Sequence, residues 1–266
     1  MKKQVNKNNH LCEIDAGEFF EVRKMKYLGW FSCGVTSAVA CKLAIERFGD
    51  NVDLWYIETG AAHPDNMRFI KDCEKWYGRK ILTARSEKYA SPLDVASKQI
   101  FNTPYGAPCT YELKKKVRQK IQNRYVNFTH VFGFEYTPRE IDRAQRWTEQ
   151  NTKNVVFPLI ENKLNKNDCL QILQQQKIDI PHMYTLGYHN NNCIGCFKGG
   201  AGYWNKIRKD FPIVFQKTAE MERVRKSTCL KFNGKPLYLD ELNPTVGRYK
   251  DLLLPECGLF CELEKV

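Results

Sequence analysis

Five short runs of apolar and β-branched residues punctuate the first 160 positions: YLGWF (27–31), VDLWYIE (52–58), KILTA (80–84), THVFGF (129–134) and NVVFPL (154–159). Each has the length and character of a buried strand. Between them apolar residues return at helical spacing. Val39 and Leu43, and likewise Ala40, Ala44 and Phe48, recur four residues apart and predict one buried helix face. Residues 64–76 (PDNMRFIKDCEKW) predict a second helix, with Pro64 at an early position. Leu113, Val117, Ile121 and Tyr125 keep the same spacing through a basic segment, and residues 138–150 predict a further helix. Strands that alternate with helices imply βαβ units, so the expected fold class is α/β, a mostly parallel sheet with helices on both faces.

After residue 160 the character changes. Residues 166–176 predict a helix, and IDIPHMYTLGYHNNNCIGCFKGGAG then reads as irregular chain rich in Gly, Asn and Cys. Two helices follow, around 202–210 and 213–227, separated at Pro212, and the chain closes on LLLPECGLFCELEKV. The division expected is an α/β domain over 20–160 and a C-terminal helical lobe over 161–266 that carries the CxxC and a C-terminal cysteine pair. No low-complexity linker separates them, so the lobe is expected to pack on the sheet.

Composition narrows the class. A chain of 266 residues with 42% hydrophobic positions can bury a sizeable core. No stretch approaches the ~20 apolar residues of a membrane helix, and MKKQVNKNNH lacks the apolar run of a secretory signal. A cytoplasmic protein with no membrane partner is therefore expected. In that setting eleven cysteines point to reduced thiols, metal or cluster ligation, or sulfur chemistry, and not to a disulfide framework. A net charge of +12 favours a polyanionic partner.

The junction WFSCGVTSAVACK (30–42) passes from strand to helix through small polar residues. A helix N-terminus presents unpaired N–H groups and the positive end of its dipole, which suits phosphate. The spacing matches neither GxxxxGK[ST] nor GxGxxG, which excludes a Walker-type loop. From these residues alone, a plain N-cap by Ser32 or Thr36 stands level with a ligand site. Cys193 and Cys196 form a CxxC that suits one metal or an Fe–S site. Cys33, at a helix start, is either a reactive low-pKa thiol or a small residue tolerated in the turn. Cys12, Cys41, Cys73, Cys169 and Cys229 fit inert packing.

Ser32-Cys33-Gly34-Val35-Thr36-Ser37 resembles the SGGxDS pyrophosphate loop of the adenine nucleotide α-hydrolases, the superfamily of ATP pyrophosphatases and PAPS reductases. Further segments resemble the PAPS reductase branch in the same order. They are Ile57-Glu58-Thr59-Gly60 with His63 and Asn66, Pro108-Cys109 ahead of Leu113-Lys114, and Gly133-Phe134-Glu135 with Arg139 and Arg143. Met183-Tyr184 and Gly187-Tyr188 ahead of Cys193-Ile194-Gly195-Cys196 complete the series. The resemblance implies a five-stranded parallel sheet in order 3-2-1-4-5. It implies ATP with Mg²⁺, bound through Ser32, Cys33, Gly34, Val35, Thr36, Ser37, Glu58, Thr59, Gly60 and Gly133. Cys33 stands where the family has its first glycine, and Thr36 where it often has an aspartate that helps to hold Mg²⁺. A threonine is a weaker, uncharged ligand.

The resemblance also implies a [4Fe–4S] cluster on Cys109, Cys193, Cys196 and one of Cys257 and Cys261. Pro255-Glu256-Cys257-Gly258-Leu259 resembles the segment that carries the nucleophilic cysteine of sulfonucleotide reductases, although Phe260 stands in place of its histidine. The implied catalytic set is Ser32, Thr36, Ser37, Lys114, Arg139, Arg143 and Cys257. Three cationic runs flank these segments: Lys114 to Arg124, Arg139 to Arg146, and Lys206 to Lys226. They suit nucleic acid, DNA ahead of RNA, or the phosphates of a small nucleotide. The resulting expectation is an ATP pyrophosphatase of sulfur incorporation, most like the adenylating component of bacterial DNA phosphorothioation. A cysteine desulfurase and other modification subunits would be its partners. The alternatives are a sulfonucleotide reductase acting through Cys257, a tRNA thiolase, and an inactive nucleotide-binding subunit.

Overall fold

Alternation along the first apolar run decides which side chains enter which layer. The computed structural model describes residues 25–103, 106–150, 154–247 and 249. Strand β1 (Lys26–Trp30) leads into helix α1 (Val35–Phe48), and β2 (Val52–Glu58) into α2 (Asn66–Tyr77). β3 (Leu82–Arg85) is followed by α3 (Pro92–Lys98). A short α4 (Pro108–Thr110) passes through a π-helical turn, Tyr111–Lys115, into α5 (Lys116–Gln122). β4 (Phe128–Val131), α6 (Pro138–Gln150) and β5 (Val155–Val156) complete a sheet in the order β3-β2-β1-β4-β5. Every pairing in it is parallel. This is the α/β class and the strand order expected.

β1 lies at the centre with a partner on each edge: Tyr27 is in register with Val52 and with Thr129. A central parallel strand is covered on both faces, and period-2 alternation sorts its side chains. Leu28 and Trp30 join Trp55, Ile57 and Phe132 against α5 and α6. Phe31 joins Leu54 and Tyr56 against α1 and α2. The layer on α1 also takes Cys169 and Leu173 of α8 (Lys166–Gln175), which follows the short α7 (Pro158–Glu161). Cys41 and Cys73 are buried in the same core, as inert packing requires, and Cys229 is buried in the next. Cys12 lies outside the described residues.

A third core holds Tyr203 and Trp204 of α10 (Ala201–Asp210) and Ala219 of α11 (Pro212–Arg225), with Phe101 and Phe197. The four-residue α9 (His182–Thr185) precedes them and contributes Met183. The hairpin β6 (Leu230–Phe232) and β7 (Lys235–Leu237) closes this core.

Two local expectations change, and one feature is new. The run 154–159 does not continue as strand, because Pro158 opens α7 at its first position. Asn233-Gly234, with φ 49° and 77°, makes the two-residue hairpin turn between β6 and β7. The regular helix expected through 113–125 contains the π turn, which splits its stripe. Leu113 packs with Tyr89 and Val95, whereas Val117 and Ile121 reach the sheet core. Among the described residues no helix is long and apolar enough to cross a membrane.

Candidate nucleotide and thiol site

The chain leaves β1 and turns into α1 at the C-terminal edge of the sheet, where ligands of open α/β sheets gather. Gly34 is the N-cap of α1 in extended conformation (φ −95°), and no side chain caps the helix. The plain N-cap by Ser32 or Thr36 is therefore not what the turn contains. The hydroxyls staple the loop to itself. Ser37 Oγ accepts from Ser32 N and from Ser32 Oγ, each at 3.1 Å, and donates to the Gly34 carbonyl at 2.9 Å. Ser32 remains exposed to the cleft, while Thr36 and Ser37 are buried. Val35 N donates to the Tyr184 hydroxyl at 3.4 Å.

Cys33 adopts φ 65°, the left-handed region in which a Cβ costs roughly 1–2 kcal/mol. This is why the related loops carry glycine there. Burial pushes its thiol well above the ordinary range, with Cys73 adding to the effect. Of the two readings of Cys33, the reactive low-pKa thiol is corrected: it is a small, buried residue tolerated in the turn. Gly133 closes the loop from behind. A Cβ there would sit 2.7 Å from Ser37 Cα and 2.8 Å from Ser37 N.

A cleft opens over this turn. Ser32, Gly34, Thr59, Asn66, Lys114 and Cys193 line it, together with Tyr184 and the asparagines at 190–192. Glu58 is not among its lining residues and shapes its floor instead. One carboxylate oxygen accepts from Gly60 N at 2.7 Å and the other from the Tyr56 hydroxyl at 2.8 Å. Gly60 has φ 73°, and a Cβ there would meet the Ala90 carbonyl oxygen at 1.8 Å, so no other residue fits the bend. Burial raises the Tyr56 phenol, which keeps it a neutral donor to Glu58.

A second, smaller cleft shares a wall with the first. Cys109, Cys193 and Cys196 line it with Thr59, Lys114 and Lys198. The thiol loop is pinned by Ile194 N donating to Ala61 O at 2.8 Å and by the Tyr203 hydroxyl, which bridges Cys196 N and Cys193 O at 2.9 and 3.1 Å. Cys193 Sγ lies 3.1 Å from Thr59 Oγ1. Three thiols on one apolar wall with two lysines beside them fit an anionic thiolate-bound group. Among the described residues no three His, Cys, Asp or Glu side chains stand close enough for a single metal ion. Cys257 and Cys261 lie outside the described residues.

The π turn aims Lys114 at the wall common to both clefts, a use to which such turns are often put. The other expected cations are placed differently. Arg143 is 5% exposed, stacks on Phe134 at 4.5 Å and pairs with Glu140 at 3.1 Å. Arg139 is exposed, and neither arginine lines the two clefts. Arg118 is buried, Lys116 pairs with Glu112, and Lys120 pairs with Glu87. Lys206 pairs with Asp210, Arg223 with Asp240 and Glu241, and Arg208 donates to the carbonyls of Leu239 and Leu242. Lys116, Lys120, Arg143, Lys206 and Arg223 are thus matched by carboxylates within the fold.

Beside the first cleft, Asp65 holds Arg68 through two bonds of 2.7 and 2.8 Å and accepts from His182 N at 2.9 Å. The arginine keeps this carboxyl below its usual range. The rings of His63 and His182 lie 5.0 Å apart, and burial, with the second ring, lowers the His63 pKa. Sequence reasoning passed over the lining residues Asn190, Asn191 and Asn192. Their only signal is a run of three amides directly before the CxxC.

Residues 27–199 match the family described as the phosphoadenosine phosphosulfate reductase domain. An uncharacterized protein of Methanocaldococcus jannaschii is 22% identical over 209 residues, which are 74% of this chain and 42% of that protein. The chain thus spans about two fifths of that relative. Among solved structures, a phosphoadenylyl-sulfate reductase of Candida auris in a phosphate complex is 14% identical, with a TM-score of 0.47 over 65% of this chain and 83% of that one. A U34-tRNA thiolase of Methanococcus maripaludis with its [4Fe–4S] cluster is 15% identical, with a TM-score of 0.41 over 77% and 72% of the two chains.

Proposed function

The chain belongs to the phosphoadenosine phosphosulfate reductase domain family, and on that premise we propose that it is an ATP pyrophosphatase of sulfur incorporation. One observation carries the reading: the cleft over the phosphate loop and the thiol-lined cleft share Thr59, Lys114 and Cys193. Activation of an acceptor on one side and delivery of sulfur from the other need such a wall.

ATP occupies the first cleft with its pyrophosphate against the amides that open α1 and the Ser32 hydroxyl. An acceptor phosphate oxygen attacks the α-phosphorus in line, and pyrophosphate leaves. The terminal sulfur of a persulfide on a wall thiol then attacks the adenylated phosphorus and displaces AMP. A second thiol attacks the S–S bond, forms a disulfide with the first and releases the phosphorothioate, and an external thiol reductant returns the pair to dithiol. Lys114 offsets negative charge where the two substrates meet, and positioning with charge neutralisation supplies most of the acceleration. Position 36 offers no carboxylate and its side chain is buried, so Mg²⁺ would take its ligands from the nucleotide phosphates, waters and the exposed Ser32 hydroxyl. In place of the persulfide, Cys109, Cys193 and Cys196 with Cys257 or Cys261 would hold a [4Fe–4S] cluster, which when bound supplies an iron to which sulfur binds. The net charge of +12 supports a polyanionic acceptor, the DNA backbone, with a cysteine desulfurase as sulfur donor.

The test is pyrophosphate release from ATP by the anaerobically purified chain. Ser32→Ala is expected to reduce it at least ~10-fold, the effect of losing one donor to a developing charge. Turnover retained in that variant would remove the loop from the reaction. The family description itself supports a second reading, a sulfonucleotide reductase. Release of sulfite from APS or PAPS, lost in Cys257→Ser and with no pyrophosphate from ATP, would establish that reading in place of the first.

A further inference from the structure

Asn191 sits in the amide run just before the thiol loop and reaches back to the phosphate loop. Its Nδ2 donates to the Cys33 carbonyl at 2.7 Å and to Asn66 Oδ1 at 2.8 Å. Two acceptors on one nitrogen fix which way the amide points, since the flipped group would set its oxygen against both. Asn66 is 4% exposed and is oriented in turn, donating from Nδ2 to the Tyr56 hydroxyl at 3.3 Å. Tyr56 donates onward to Glu58, whose other oxygen holds Gly60 N. The Asn66 carbonyl faces Cys33 Sγ at 3.5 Å.

The residue held by this chain of bonds is the one in an unfavourable conformation. A side chain with a Cβ persists in the left-handed region only where its surroundings over-determine it. Cys33 is fully buried there, with Asn191 donating to its carbonyl and the Asn66 backbone carbonyl accepting from its thiol.

We propose that Asn191 is a positioning residue that holds Cys33 in its left-handed conformation, keeps the phosphate-loop amides aimed into the cleft, and ties that loop to the one bearing Cys193. Its functional consequence rests on the nucleotide reading above; its structural consequence does not. A loop with glycine at position 33 needs no such clamp, because glycine enters this region without a Cβ clash.

The experiment uses the full chain as wild type, Asn191→Ala, Asn191→Asp, and each of these combined with Cys33→Gly. Two quantities are read: the rate at which N-ethylmaleimide labels Cys33, by peptide mass spectrometry, and the dissociation constant for ATP. Both single variants are expected to label Cys33 at least ~10-fold faster, through local opening of the loop. They are expected to weaken ATP up to ~10-fold, the value of one lost hydrogen bond. Cys33→Gly is expected to return ATP affinity to within about threefold of wild type in either background, a rescue that a merely structural asparagine would not show. Unchanged labelling in both single variants overturns the proposal, and so does a glycine that fails to restore affinity. If Asn191→Ala does not fold, the isosteric Asn191→Asp and its glycine double variant decide both points. A wild-type chain that binds no ATP while labelling responds as stated would overturn the nucleotide reading and leave the clamp standing.

Discussion

Gly133→Ala tests whether the phosphate loop works as a rigid cradle. The added Cβ would lie 2.7 Å from Ser37 Cα, 2.8 Å from Ser37 N and 3.0 Å from the Thr36 carbonyl carbon. Ordinary contact begins at 3.4 Å, so the closest approach must open by about 0.7 Å (3.4 less 2.7). Every atom it meets is backbone, and no side chain can rotate away. Position 133 lies two residues past β4, which is paired to β1 and to β5, so the shift falls mainly on the first turn of α1. Overpacking of this kind costs roughly 1–3 kcal/mol, and at ~2–4 °C per kcal/mol the melting temperature drops by about 2–12 °C. Misplacing a reacting group by ~1 Å costs as much as 100-fold in rate, so pyrophosphate release is expected to fall ~10- to 100-fold. Gly78→Ala is the control. It is left-handed (φ 68°) at the end of α2 with nothing within 4 Å of a Cβ, so it should lose ~1–2 kcal/mol of stability and no turnover per folded molecule. Wild-type melting and turnover in Gly133→Ala would refute the reasoning, as would equal loss of turnover in the control.

Two further outcomes follow from titratable groups that complete or partial burial shifts. Glu222 is fully buried and accepts from Cys229 N and Leu239 N, each at 2.7 Å, and burial raises its carboxyl above the ordinary value near 4.5. The folded chain therefore holds this proton more tightly than the unfolded one, and the contribution to stability declines as pH rises through that interval. Glu222→Gln should cost ~1–3 kcal/mol by facing an amide against one N–H, and should flatten that decline in a melting series from pH 4 to 8; an unchanged slope would exclude the residue as its source. For His63, whose pKa burial and the His182 ring hold below 6.5, the neutral form is favoured in the fold. Its contribution is present above pH 6.5 and fades as pH falls through the lowered value. His182→Gln is expected to move the His63 titration upward by NMR, and a shift downward would contradict the arrangement.

The local grammar of the chain was legible in its residues. Short apolar and β-branched runs placed the strands, four-residue spacing placed α1 and the stripe of α5, and the small polar turn before α1 marked the loop. These features depend on neighbours within a few positions, which is why sequence alone determines them. What tertiary structure decided is convergence. Cys109 meets Cys193 and Cys196 only because α4 and the 193–196 loop are packed against one cleft. Arg143 turns into the aromatic layer, Lys114 is swung to the shared wall by a π turn, and Cys33 is held left-handed by amides from two distant segments. Burial, charge pairing and backbone strain are set by the sum of long-range contacts, and no periodicity along the chain encodes that sum.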